Sequence, residues 1–244
     1  MVSFKDRKAL STLLALTIVI AVVIVAVGLY FLYSPSELIT EEMEYSDFTA
    51  VDVSSAFQVE ITHSSSYSVI ITAEEKIFDK INVTKTGNTL VISIEPNLVP
   101  TSVLKAEITM PNLVKLVLSG ACKGTIEGFS SSDTFIAELS GASHLEMQDT
   151  TVGNVQIELT GASTLIAEGS GNGLFSNVEG ASSLDLTTFP VVNGDLMVSG
   201  ASQVTVNLDG TLDAMVSGAS TVYYIGEPTM GDIHVSGEST INKK

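Results

Sequence analysis

The 244-residue sequence is poor in several residue types that would otherwise shape its fold and chemistry. It has no tryptophan, only six prolines and a single cysteine, Cys122, so no disulfide can form within one chain. Charged residues make up only 16% of the chain and aliphatic residues are frequent, which argues against disorder over most of its length. We therefore expect a folded core that needs no disulfide framework.

Basic residues are also scarce, and they are unevenly placed. Lys5, Arg7 and Lys8 stand near the N-terminus with Asp6, whereas the chain beyond residue 8 has 8 Lys, no Arg and 27 Asp or Glu, a net of 8 − 27 = −19. A surface with this charge repels nucleic acid and anionic lipid head groups. No nucleic-acid partner is therefore predicted.

A long uncharged apolar stretch, Leu10 to Leu32, follows the basic cluster. It exceeds the roughly 20 residues that a helix needs to span a bilayer, and the basic residues before it favour a cytoplasmic N-terminus. A cleaved signal peptide is the alternative, but its apolar region has about 7–15 residues before a small-x-small site. This stretch is longer and ends on bulky residues, so we expect an uncleaved single-pass anchor.

The predicted organisation follows from this anchor. It comprises a cytoplasmic N-terminus at 1–9, a transmembrane helix at 10–33 through which the membrane is a partner, and a polar linker at 34–45. An extracellular domain then has an N-terminal β region at 46–117 and a repeat region at 118–244. The predicted location is the cell membrane.

The repeat region is defined by a five-residue signature whose glycines are 21, 20, 19, 20, 18 and 19 residues apart. A near-constant step of this length is typical of stacked repeats. The copies are LSGAC at 118–122, LSGAS at 139–143, LTGAS at 159–163, VEGAS at 178–182, VSGAS at 198–202, VSGAS at 216–220 and VSGES at 235–239. The signature glycines are Gly120, Gly141, Gly161, Gly180, Gly200, Gly218 and Gly237.

Apolar and polar residues alternate around each signature glycine. The residue two positions before it is always Leu or Val, and the residue four positions after it is apolar in most copies. This period of two indicates strands with one buried face, which stacking would join into a continuous core. We predict an all-β fold, a right-handed parallel β-helix or solenoid with coils of about 20 residues. The alternation places the glycine and the serine after it inward and the alanine between them outward.

Five strand patterns without the signature precede the repeats: FTAVDV, FQVEIT, YSVIITA, KINVTK and TLVISIE, with a short helical turn at 74–80. This order, followed by repeated SGAS, resembles the family called "putative auto-transporter adhesin, head GIN domain", a domain of unknown function on prokaryotic surface proteins. The resemblance covers roughly residues 46–240. It implies a right-handed β-helix-like fold and an adhesin-like role. The predicted anchor of this chain, an N-terminal helix, departs from the auto-transporter description.

Residues that could carry chemistry are few. His63, His144 and His234 each stand alone, so no catalytic or cofactor-binding residue is predicted, and the chain is not expected to be an enzyme. Glu138 and Glu158 occupy the same outward position on adjacent coils. Their mutual repulsion could be relieved either by exposure to solvent or by a bridging calcium ion, and calcium is the only cofactor considered.

Two further residues have features of their own. Cys122 is expected to be a buried, inert thiol. Asn82-Val83-Thr84 is an N-glycosylation sequon, which makes Asn82 a candidate modification site.

Three functions remain open at this point. The first is a membrane-anchored surface adhesion or interaction module that binds a glycan or a surface protein. The second is a polysaccharide lyase or hydrolase on a β-helix scaffold, but the lack of Arg and the few Lys in the outer part disfavour a lyase. The third is a cell-envelope sensor or scaffold, which would need a membrane partner because residues 1–9 are too short for a cytoplasmic domain.

Overall fold

The computed structural model of the protein describes residues 21–25, 37–95 and 104–244. Residues 21–25 are helical and exposed. The predicted N-terminus at 1–9 and the predicted membrane helix at 10–33, apart from those five residues, lie outside the described residues. Within the described part, no helix has the length and hydropathy needed to cross a membrane. The chain divides into two compact units, Met1–Glu37 and Leu38–Lys244.

The second unit consists of strands and one short helix. Helix α1, Glu75–Phe78, lies between the fourth and fifth strands. The first seven strands are β1 Leu38–Met43, β2 Ala50–Val53, β3 Gln58–His63, β4 Ser68–Glu74, β5 Ile81–Thr86, β6 Thr89–Ile94 and β7 Lys105–Met110. The repeat region adds β8 Lys115–Leu118, β9 Lys123–Glu127, β10 Phe135–Leu139, β11 His144–Thr151, β12 Asn154–Leu159, β13 Thr164–Ser170, β14 Gly173–Val178, β15 Ser183–Val191, β16 Asn193–Val198, β17 Gln203–Leu208, β18 Thr211–Val216, β19 Thr221–Ile225, β20 Thr229–Val235 and β21 Thr240–Lys243.

The strands form two sheets, and the chain alternates between them in the repeat region. The first sheet has the order β1-β4-β7-β3-β9-β11-β13-β15-β17-β19-β21. The second has the order β20-β18-β16-β14-β12-β10-β8-β2-β6-β5. Each signature is the corner between a strand of the second sheet and the next strand of the first, so each coil pairs in parallel with the coil before it. The predicted all-β solenoid with coils of about 20 residues is confirmed, whereas its right-handedness stays a prediction.

The N-terminal strands belong to the same two sheets as the repeats. Strand β2 lies between β6 and β8, and β3 lies between β7 and β9, all in parallel. Antiparallel strands extend both sheets beyond this region: β4 and β1 in the first sheet, and β5 in the second. Residues 38–43, which the sequence analysis placed in a linker, form the antiparallel strand β1.

The core lies between the two sheets and follows the predicted alternation. Inward residues such as Leu139, Leu159, Val178 and Leu196 are almost completely buried and belong to one continuous hydrophobic cluster. The same parity turns every second side chain outward, so each sheet presents long rows of side chains in register across neighbouring coils. These outward rows are the surface on which a ligand could be bound.

Candidate functional site

The signature glycines form a column along the corners of the coils. All seven have positive φ values, between 71° and 84°. At each of them, an added Cβ would lie within 2.5 Å of a backbone oxygen of the preceding corner, which is too close for a real Cβ. The next residue closes the contact with a hydrogen bond, as in Ala162 N–H to Gly141 O at 2.7 Å. Glycine is needed here for two reasons, the left-handed backbone and the close approach of two chains.

The glycines themselves are exposed, contrary to the inward position expected from alternation. The left-handed residue turns the corner and so breaks the strand parity locally. The other two expectations hold, because the alanines are exposed and the signature serines are buried. Alternation therefore resumes in register only after the corner.

The signature serines form a second column inside the corner. The hydroxyl of Ser163 donates to Thr160 O at 2.9 Å, and that of Ser182 accepts a bond from Ser163 N at 3.3 Å. The same arrangement recurs at Ser202. Cys122 occupies this position in the first copy, where its thiol lies 3.3 Å from Ser119 O and burial raises its pKa. This column is a structural element that satisfies buried polar groups.

An eighth corner precedes the seven that the glycine pattern identifies. Strand β2 pairs with β8 so that Val53 lies opposite Leu118, which aligns Val53-Ser54-Ser55-Ala56-Phe57 with the first signature. Ser55 has a φ of 87° and accepts a hydrogen bond from Ala121 N, as the glycines of the column do. The V-S-x-A remnant is the sequence signal for this copy, but serine in place of glycine conceals it.

Glu138 and Glu158 lie opposite each other on neighbouring strands, in the predicted register. Lys115 Nζ lies 2.7 Å from Glu138 Oε1, so a protein cation already offsets part of the repulsion. Calcium takes six to eight oxygen ligands, and the described residues contain no group of three or more His, Cys, Asp or Glu side chains suited to a metal. The pair thus fits calcium poorly, and calcium binding stays a prediction.

The remaining candidate residues lie apart from one another. Asn82 is exposed on β5, the edge strand of the second sheet, so its amide is accessible, and its glycosylation stays a prediction. His63 and His234 are exposed. His144 is half-buried, and its Nε2 lies 2.9 Å from Glu146 Oε1, a hydrogen bond that lowers the pKa of Glu146.

A groove of about 340 Å³ lies on the outer face of the second sheet, across strands β12, β14, β16 and β18. Phe175 is the aromatic residue that lines the groove, and it is 39% exposed. In the outward row through Phe175, Gln156 is the neighbour on one side and Asp195 on the other, followed by Asp213. We call this site the Phe175 groove.

A second outward row borders the groove beside the aromatic ring. Gly173 lies two residues before Phe175, between Asn154 and Asn193 on the flanking strands. Asn154 Oδ1 would lie 2.8 Å from an added Cβ at Gly173, so the Asn154 amide occupies the place that a side chain would take there.

Backbone hydrogen bonds orient two of the polar side chains that line the groove. Asn193 Oδ1 accepts from Thr211 N at 2.9 Å, and Asp213 Oδ1 accepts from Asp232 N at 2.7 Å. Among the described residues, this leaves the Asn193 amide nitrogen and the second Asp213 oxygen to bind a ligand. The polar side chains that line the groove come from neighbouring coils. They are far apart in sequence and outside the signature, so no motif predicts them.

Comparison with known proteins agrees with this architecture. A "putative adhesin" from Bacteroides fragilis has a TM-score of 0.81 at 22% identity, with 86% of this chain and 98% of that chain covered. A "putative lipid binding protein" from Parabacteroides distasonis has a TM-score of 0.68 at 18% identity, covering 85% and 97% of the two chains. A "putative adhesin" from Parabacteroides merdae has a TM-score of 0.65 at 14% identity, covering 85% and 96%. These identities show a shared fold alone.

Sequence comparison supplies the family. No curated protein matches this chain. Residues 47–228 match the family described as "putative auto-transporter adhesin, head GIN domain". This match spans more than half of the chain and confirms the resemblance expected from the strand order and the SGAS copies. The chain therefore belongs to the head GIN domain family.

Proposed function

We propose that this protein is an adhesion or interaction module of the cell surface, held at the membrane by its N-terminal segment. The observation that carries the proposal is the pair of outward faces, on which side chains from successive coils are held in register by parallel pairing. The adhesin descriptions of the family and of several solved relatives point in the same direction.

The two-sheet construction favours binding through side chains over the addition of a strand. Strands in the middle of each sheet are hydrogen-bonded on both sides, which leaves them no free backbone edge for a partner. A ligand at the centre of either face must therefore contact the outward rows. These rows are preorganised, because the strands beneath them are fixed by their neighbours, and preorganisation lowers the entropic cost of binding.

The acidic composition supports an exposed location. The chain beyond residue 8 carries a net of 8 − 27 = −19, which keeps a surface domain soluble and disfavours contact with anionic head groups. The apolar stretch at 10–33, preceded by Lys5, Arg7 and Lys8, would retain this domain at the outer side of the membrane.

Labelling of intact cells tests the location. With a membrane-impermeant amine reagent, we expect modification of Lys105 and Lys123, whereas Lys5 and Lys8 react only after lysis. Labelling of Lys105 and Lys123 only after lysis would contradict the proposal.

Adhesion of intact cells tests the activity. Cells that lack the protein should adhere less to immobilised polysaccharides and envelope fractions than cells that produce it. Restoring the full-length chain should restore adhesion. Equal adhesion with and without the protein on all of these surfaces would refute an adhesive role.

A further inference from the structure

We propose that the Phe175 groove binds an uncharged carbohydrate. The proposal rests on the proposed surface function only for the place where the protein meets its ligand. The binding itself is a property of the groove. It assigns a ligand class to a definite set of residues: Asn154, Gln156, Phe175, Asn193, Asp195 and Asp213.

The exposed ring of Phe175 provides the apolar part of the site. The face of an aromatic ring is electronegative, so it attracts the weakly positive C–H groups that line one face of a pyranose. Asn154 Oδ1 lies only 2.8 Å from where a Cβ of Gly173 would be, so this amide covers the glycine beside the ring. A flat ring can lie against Phe175 with one edge facing the Asn154 amide.

The polar side chains around the ring suit the hydroxyl groups of a sugar. Asn193 and Asp213 are each held by a backbone N–H, so their remaining donor and acceptor are oriented before a ligand arrives. Carboxylates accept hydrogen bonds from hydroxyls, and amides both donate and accept them. A small number of oriented polar groups around an apolar surface is the usual composition of a small-ligand site, and the groove volume falls in the usual range for one.

Charge selects among carbohydrates. Asp195 and Asp213 lie opposite each other in the same outward row, and no Lys or Arg among the described residues lines the groove. An anionic sugar would meet these two carboxylates without a cation to offset them, whereas an uncharged sugar would use them as acceptors.

The dimensions favour a short saccharide over a folded protein. The groove crosses four neighbouring strands, which corresponds to about 14 Å at a strand spacing of about 4.8 Å. A stable protein interface covers about 800 Å² on each partner, far more than this groove offers. An extended peptide could not pair with the strands below it, because they lie inside the sheet.

Binding of the full-length chain to a saccharide panel tests the proposal. The chain is solubilised in a detergent without a sugar head group, so that the detergent does not compete for the groove. The panel contains uncharged glucans, mannans and N-acetylglucosamine oligomers, and the anionic polygalacturonate. We expect saturable binding to at least one uncharged saccharide and none to polygalacturonate.

Three variants locate the binding site. Phe175→Ala should weaken binding about tenfold or more, because the stacking surface is lost, while Phe175→Trp should retain it. Asn193→Ala should weaken binding through the lost amide. Ile166→Ala is the matched control, since Ile166 is an outward, 42% exposed apolar residue on the other sheet and its loss should leave binding unchanged.

Several results would overturn the inference. These are the absence of binding to every uncharged saccharide, preferential binding of polygalacturonate, and equal binding by the parent chain and Phe175→Ala. None of them bears on surface exposure, which the labelling of Lys105 and Lys123 decides separately. Conversely, a chain that is not surface-exposed could still bind saccharide in this assay.

Discussion

Replacing one glycine of the corner column should destabilise the solenoid more than replacing a glycine with a similar backbone elsewhere. Gly161 has a φ of 78°, and an added Cβ would lie 2.5 Å from Gly141 O and 3.2 Å from Gly141 N. Alanine in the left-handed region costs about 1–2 kcal/mol. Forcing the corners apart adds a further cost of about 1–3 kcal/mol, the range for overpacking. Gly161→Ala should therefore lower the free energy of unfolding by about 2–5 kcal/mol.

Gly87→Ala is the matched control. Gly87 lies in the turn between β5 and β6 with a φ of 60°, and nothing lies within 4 Å of an added Cβ. This variant should show only the backbone cost of about 1–2 kcal/mol. Thermal unfolding of the full-length chain, followed by far-ultraviolet circular dichroism, measures the two effects. Taking the middle of each range, Gly161→Ala should lose about 2 kcal/mol more stability than Gly87→Ala. Since Tm changes by about 2–4 °C per kcal/mol, the Tm of Gly161→Ala should lie about 4–8 °C below that of Gly87→Ala. Equal Tm values would show that the close approach of the corners does not require glycine.

Three further predictions concern single buried or half-buried groups. Among the described residues, Ser176 Oγ is the one buried side-chain oxygen without a hydrogen-bond partner, so Ser176→Ala should raise the free energy of unfolding by about 1 kcal/mol. Ser182→Ala should instead lower the free energy of unfolding by about 1–3 kcal/mol, because two hydrogen bonds are lost. Denaturant unfolding checks both, and a loss of stability in Ser176→Ala would contradict the first. Burial raises the pKa of Asp52 despite the nearby charge of Lys115, so the folded state gains stability as the pH falls through this raised pKa. Asp52→Asn should then be more stable than the parent at pH 7 by no more than about 1 kcal/mol, with the difference shrinking towards acid pH, and a difference that grows on acidification would refute the assignment. Cys122 should resist iodoacetamide until the chain is unfolded, because it is buried and burial raises the pKa of its thiol. Rapid labelling of the folded protein, seen by mass spectrometry, would show that the corner at the first signature copy opens.

The repeat was predictable because its constraints act at fixed spacings. Seven of the eight corners have glycine, because the corner needs a left-handed backbone and a close contact. On either side of the corner, apolar and polar residues must alternate so that the strands form one core. The strand patterns between 48 and 95 are found at β2 to β6 for the same reason, and helix α1 lies within the predicted helical turn. Local chemistry that recurs leaves a signal that a single sequence can show.

Features that depend on pairing between distant residues left no such signal. The position of β2 and β3 between strands that all come later in the chain follows from sheet order, which no local pattern encodes. The Phe175 groove combines residues from four coils, and each of them alone is an ordinary polar or aromatic strand residue. Ser55 shows an intermediate case, since the left-handed corner is present while the glycine that reveals the others is absent.

The placement of β2 and β3 also sets an order of assembly. Both strands find their two neighbours in segments that are synthesised later, β6 and β7 on one side and β8 and β9 on the other. Each coil after β9 needs only the coil that precedes it, so growth can continue by addition at one end. A nascent chain halted at any later corner would already contain a folded block, whereas one halted before Met110 would expose β3 with neither of its partners complete.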